Sequence, residues 1–204
     1  MTFPSKKDRP ALVLDLDGTL LDRDFRESLR LYLVPSPRTG RIFPHVREAL
    51  WNLSEKADLL GVTARCFLAR GNTRRWQEAQ GLPLFPVLHA PVFLVRERAR
   101  IFFKRRCIRR FRAAGYRPAF GVGDRGSDLE CYWREGIFPL MVVPRPGGSR
   151  HKALEQRARR LGLRQGEDFL LFTEDGEAPP LWKRLEAWLE EALEEGRPPA
   201  GRGG

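Results

Sequence analysis

Apolar and polar positions along this chain follow two rhythms: short unbroken apolar runs, and longer stretches with apolar residues three and four apart. The runs read as strands buried on both faces, and the spaced stretches as helices that turn one face to a core. The first run, Ala11-Leu-Val-Leu14, leads into Asp15-Leu16-Asp17-Gly18-Thr19. Pro44 opens a predicted helix over 44–56, with Val46, Ala49, Leu50 and Leu53 on one face. Residues 57–63 predict a second buried strand ending at Thr63, and 65–80 a helix stopped by Gly81. Residues 85–89 make a weak strand among prolines, and 96–114 a long basic helix closed by Gly115. A strand over 118–123 stops at Asp124; a short helix over 127–134, a strand over 138–143 and a helix over 151–161 follow. From 180 to 195, Leu181, Trp182, Leu185, Trp188, Leu189, Ala192 and Leu193 mark an amphipathic helix that packs on the core.

Strands alternating with helices predict an α/β fold: a three-layer, Rossmann-like parallel sheet with helices on both faces and right-handed crossovers. Residues 11–195 read as a single domain, 1–10 as an N-terminal tail and 196–204 as a disordered tail. Residues 20–42 are a short excursion, with some helical character over 24–33 that the prolines and glycine of 35–40 break. With 204 residues, 42% of them hydrophobic, the chain can bury a core without disulfides or metal staples. It has no apolar run near the roughly 18 residues of a membrane span, and no apolar segment behind its N-terminal charges, so a cytoplasmic location is expected. Cys66, Cys107 and Cys131, odd in number and irregular in spacing, read as buried free thiols.

Charge adds a polarity to this picture. The net charge is +11, but residues 165–204 carry −6, which leaves +17 on residues 1–164. That field favours anionic ligands and could draw nucleic acid or an anionic membrane surface. Only six of the 37 basic residues are Lys, a bias that genome composition or heat adaptation also produces.

The candidate chemistry lies at strand ends, where open parallel sheets bind ligands. Asp15 and Asp17, two apart, fall on one side of an extended chain and repel each other unless a cation such as Mg²⁺ lies between them. Thr63 and Asp124 end two further strands on the same edge. Ile101, Lys104, Ile108 and Phe111 are spaced 3, 4, 3, which sets Lys104 in an apolar stripe and calls for a negative partner. His45, His89 and His151 are scattered without ligand spacing; Arg65, Arg74 and Arg75 read as a solvated helix face, with lining of the substrate approach as the alternative, and Trp76 and Trp133 as core or its edge rather than as stacking on a base.

Asp15-Leu-Asp17-Gly-Thr19, Gly61-Val-Thr63-Ala-Arg65, Lys104 and Gly121-Val-Gly-Asp124 followed by Asp128 resemble, in order, the four motifs of haloacid-dehalogenase-like phosphohydrolases. Val-Thr-Ala-Arg, Phe103-Lys104 and Phe120-Gly-Val-Gly-Asp124, with Asp128, Tyr132 and Gly136, are more loosely similar to the catalytic domain of lipin-type phosphatidate phosphatases. The resemblance implies a Mg²⁺-dependent phosphatase. Asp15 is its nucleophile, forming an aspartyl-phosphate, and Asp17 its acid and base. Asp15, Asp17 through its main-chain carbonyl and Asp124 are implied metal ligands, with Asp128 ligating through water or supporting the shell; Gly18, Thr63, Ala64 and Lys104 hold the phosphoryl group, and Thr19 supports the loop. The insertions after the first motif and between the second and third are too short for a cap domain, so an open site and a large or extended phosphorylated substrate are expected. A small metabolite fits if an oligomer partner closes the site. The +17 field and the arginines of 105–112 motivate a second reading, a phosphatase of nucleic-acid ends. A third, of another class, is a basic nucleic-acid or anion-binding module with an inert site.

Overall fold

The computed structural model describes residues 9–22, 41–91, 96–174 and 179–196, and in it the first apolar run is a strand buried from Ala11 onward. In chain order the first elements are β1 (Pro10–Asp15), β2 (Leu21–Asp22), β3 (Arg41–Ile42), α1 (Val46–Lys56), β4 (Asp58–Cys66), α2 (Arg70–Ala79) and β5 (Val87–Ala90). Then come α3 (Glu97–Ala113), β6 (Arg117–Gly123), α4 (Gly126–Arg134), β7 (Phe138–Val143), α5 (Ser149–Leu161), β8 (Leu170–Thr173) and α6 (Leu181–Glu194). Six strands form one sheet in the order β5-β4-β1-β6-β7-β8, every neighbouring pair parallel. β1 lies inside it between β4 and β6, and the strand order turns back there, as at the ligand-binding edge of doubly wound sheets.

Strand alternation decides which helix each side chain meets. Leu12, Leu14 and Leu16 join the core that holds Leu50 and Leu53 of α1 and Trp182, Leu185 and Leu189 of α6. Ala11 and Val13 join the opposite core, with Ile108 and Phe111 of α3 and Tyr132 of α4. Asp15 has the parity of Ala11 and Val13, so it faces α3. The C-terminal helix packs on the sheet as its pattern predicts, and Trp188 stacks on Phe138 with ring centroids 5.7 Å apart.

The structure departs from the sequence pattern in three places. The helix read over 65–80 begins only at Arg70: β4 runs on to Cys66 and a 3₁₀ turn spans Phe67–Ala69. Pairing with β5 and an ion pair of Arg65 hold those residues extended. β8 is a sixth strand at the sheet edge that the pattern does not announce, and β2 pairs antiparallel with β3. Between β4 and α3 the described residues form the 3₁₀ turn, α2 and β5; β5 joins the main sheet, and no separate cap stands there. The segments read as 24–33 and 35–40, residues 1–8 of the N-terminal tail and residues 197–204 of the C-terminal one lie outside the described residues.

Gly121 shows how closely the sheet and α4 approach. A Cβ there would lie 2.4 Å from the Tyr132 ring, whose hydroxyl donates to the Val122 carbonyl at 3.1 Å. Gly121→Ala is expected to destabilise the protein by about 1–3 kcal/mol through overpacking, read by urea unfolding; unchanged stability would mean that the two elements do not meet this tightly.

Candidate active site

The carboxyl edge of β1 and β6 gathers three acids. Asp15 ends β1, Asp124 follows β6, and Asp128 lies in the first turn of α4, where it accepts the Arg125 main-chain N–H at 3.2 Å. Each can bring one oxygen within 4.8 Å of the others, and all three are buried. Lys104 of α3, itself 4% exposed, reaches between them: its Nζ donates to Asp15 Oδ1 at 2.6 Å and to Asp128 Oδ1. The inward lysine of the α3 stripe thus finds the negative partner its position demands.

One buried ammonium does not balance three buried carboxylates. Arg150 Nη1 donates to Asp124 Oδ2 at 2.8 Å, and Arg125 Nε stands 3.8 Å from Asp124 Oδ1, beyond hydrogen-bond reach. Among the described residues Asp124 Oδ1 is left buried with no hydrogen-bond partner. Burial pushes the Asp15 carboxyl up to about 6, with Lys104 pulling the other way. Burial, then Asp15 and Asp128, push Asp124 up to about 7, against Arg125 and Arg150. Burial also opposes the charge on Lys104, but Asp128 and Asp15 outweigh it and hold the ammonium well above the usual lysine range. An all-oxygen donor set, crowded negative charge and an orphaned carboxylate oxygen fit a hard divalent cation.

Asp17 stands apart from this cluster. Arg65 forks its carboxylate, Nε to Oδ2 at 2.8 Å and Nη2 to Oδ1 at 2.6 Å. The two carboxylates that the spacing sets on one cation therefore answer to different side-chain cations, Lys104 for Asp15 and Arg65 for Asp17. Thr63, fully buried, lies 3.4 Å from Asp17 Oδ2 and accepts the Arg65 N–H at 3.2 Å. Behind Arg65 stand the Thr73 hydroxyl at 3.5 Å, His89 Nε2 at 3.0 Å from that hydroxyl, and the Trp76 ring, 5.8 Å from the guanidinium. His89 Nδ1 faces the Val87 carbonyl at 3.2 Å, so Nδ1 carries a proton and donates it there. Burial pushes His89 down to about 4, in keeping with a neutral ring.

Arg65 is the functional residue the sequence pattern misplaces. It is 7% exposed in a strand and not on a solvated helix face. Gly18 adopts φ 91°, and a Cβ there would come within 2.2 Å of Asp124 Oδ2, so the site needs its missing side chain; its N–H is taken by the Leu21 carbonyl at 3.0 Å. Ala64 is half-buried beside Thr63, and Thr19 is fully buried, away from solvent. The three cysteines are buried and free, and burial pushes the Cys107 thiol up to about 12.

The raised carboxyls give a signed pH dependence. Asp124, at 3.8 when unperturbed and about 7 in the fold, binds more protons folded than unfolded between those values. Metal-free protein should therefore lose stability relative to Asp124→Asn as pH rises from about 4 to about 7, by at most about 1.4 kcal/mol per pH unit. Mg²⁺ above pH 7 should raise the melting temperature of the wild type more than that of the variant. Parallel pH curves with no selective Mg²⁺ effect would remove the case for a metal at Asp124.

No family model and no curated protein matches the sequence. Solved structures do match the fold. The haloacid dehalogenase-like hydrolase SP0104 from Streptococcus pneumoniae has a TM-score of 0.55 at 13% identity, over 89% of this chain and 98% of that one. The class C acid phosphatase from Bacillus anthracis with tungstate bound has 0.50 at 14%, over 95% and 81%. A chain of a Pnkp1/Rnl/Hen1 complex has 0.54 at 18%, where the alignment covers 66% of this chain but only 45% of that one. At such identities likeness speaks for architecture, and with the strand order it establishes that the chain has the haloacid-dehalogenase-like fold.

Proposed function

We propose that the protein is a Mg²⁺-dependent phosphomonoesterase that works through an aspartyl-phosphate on Asp15. One observation carries this reading: two aspartates only two residues apart stand in opposite environments. Asp15 is buried against Lys104, while the Asp17 side chain, 25% exposed, lies on the Arg65 fork. The two differ in place: Asp15 stands with the buried acids, where the phosphoryl group and a cation would gather, and Asp17 stands toward solvent, where a leaving group would depart.

An Asp15 carboxylate oxygen attacks phosphorus; a P–O bond to Asp15 forms as the ester P–O bond breaks, and the leaving oxygen takes a proton from Asp17. Asp17, now a carboxylate, takes a proton from the attacking water. The new P–O bond forms, the bond to Asp15 breaks, and inorganic phosphate leaves with Asp15 restored. Thr63 through its hydroxyl, Ala64 through its N–H and Lys104 through its ammonium hold the phosphoryl oxygens, and Gly18 gives them room. Asp15, Asp124, Asp128 and the Asp17 main-chain carbonyl would hold the Mg²⁺, whose charge, when bound, offsets that of the nucleophile and the phosphoryl oxygens. With no cap between β4 and α3 among the described residues, the site suits a phosphate on a large or extended molecule.

Hydrolysis of an aryl phosphate should require Mg²⁺, fall to background in Asp15→Asn and drop at least about a hundredfold in Asp17→Asn. Turnover that persists in Asp15→Asn, or in a chelator, would overturn this mechanism.

A further inference from the structure

A groove of about 570 Å³ runs along the outer side of β5, lined among others by Phe67, Arg70, Arg74, Leu84, His89 and Arg110. Among the described residues its lining holds three guanidinium groups, of Arg70, Arg74 and Arg110, and no acidic residue. Arg74 is fixed at the rim by an exposed pair with Glu78 at 3.1 Å, a contact worth little on its own. At the mouth the 3₁₀ turn leaves two large apolar side chains to solvent, Phe67 at 58% and Leu68 at 74%.

The groove shares Thr73 and His89 with the backing of the site described above. Phe67 and Arg70 follow directly on β4, at the sheet edge where Thr63 and Asp17 meet. Thr73 and His89 line the groove, and the Thr73 hydroxyl supports the Arg65 guanidinium that grips Asp17. The basic run of α3 is divided by the same geometry: Arg105, Arg109 and Arg112 converge on the buried carboxylate of Glu135, whereas Arg110 faces the groove. Of the five arginines in residues 105–112, three thus share the single carboxylate of Glu135, Arg106 is exposed, and Arg110 is the one that lines the groove.

Two features select the occupant. β5 is poorly suited to take on a peptide strand: it has four residues, Pro86 precedes it, Pro91 follows it, and the Val87 carbonyl is occupied by His89. Recognition therefore falls to side chains, and arginines with an exposed aromatic ring in a groove are what a single strand of nucleic acid requires, the former for backbone phosphates and the latter for a base. We propose that this groove seats the single-stranded end of a nucleic acid, with Arg70, Arg74 and Arg110 on its backbone phosphates and Phe67 against a base, and that its terminal phosphate enters the Asp15 site. Only the fate of that phosphate rests on the phosphatase reading; strand binding does not.

The test separates the two. Fluorescence anisotropy with a short labelled oligonucleotide bearing no terminal phosphate, without divalent metal, reads binding alone. The wild type should bind, and Arg70→Ser with Arg110→Ser should bind on the order of tenfold more weakly at low salt, with a log–log salt slope shallower by about 1.4. Phe67→Ala should cost on the order of tenfold regardless of sequence. Arg159→Ser with Arg160→Ser, an equal charge change on α5 outside the groove, should bind like the wild type. Equal loss in both double variants, absence of binding by the wild type, or capture by anionic phosphatidylserine vesicles that the oligonucleotide does not reverse would each overturn the proposal. Absence of aryl phosphate hydrolysis alongside groove-dependent binding would overturn the phosphatase reading alone.

Discussion

Three carboxylates buried around a single ammonium are the constraint on which the rest of this structure depends. Asp15, Asp124 and Asp128 are carried by neighbouring strands and by the first turn of α4, and a fold that desolvates three acids together must supply positive charge or lose stability. Lys104 supplies part of it from α3, and Arg150 and Arg125 approach Asp124 from the half-exposed side. The local backbone is shaped to permit this crowding. Gly18 has no side chain where Asp124 lies, and a Cβ on Gly123 would meet Asp128 Cβ at 2.5 Å. Such an arrangement makes sense as a receptacle for a cation and an anion together, which is the chemistry proposed for it.

The second half of the site is built on a different principle. Asp17 is charge-paired and oriented, because Arg65 meets it with two parallel hydrogen bonds, a geometry that fixes direction as well as energy. Arg65 in turn meets the Thr73 hydroxyl and the Trp76 ring, and His89 stands behind that hydroxyl. The same backing forms one wall of the β5 groove. The proposed substrate groove and the proposed proton-transfer group therefore share Thr73 and His89.

Much of this was legible in the sequence where the signal is local. Unbroken apolar runs give β1, β6 and β7, and the 3-4-3 spacing on α3 singles out Lys104, because both depend only on periodicity along one element. What the pattern misses depends on distant partners. Arg65 looks like a helix residue until its ion pair with Asp17, 48 positions away, is known. β8 is four half-buried residues at the sheet edge, too short and too little buried to stand out. The arginines of α3 read as one basic stripe, yet Glu135 collects three of them, which only the packing of α3 against α4 reveals. Charge summed along a sequence reports how much is present and not where it points.

The central claim is that Asp15 attacks phosphorus, and stereochemistry at that atom tests it most directly. Each in-line displacement inverts the phosphorus, so two successive displacements restore its configuration. Turnover of a phosphorothioate monoester made chiral with two oxygen isotopes, in water carrying the third, should therefore give chiral inorganic thiophosphate with net retention; net inversion would mean that water attacks directly and would contradict the account.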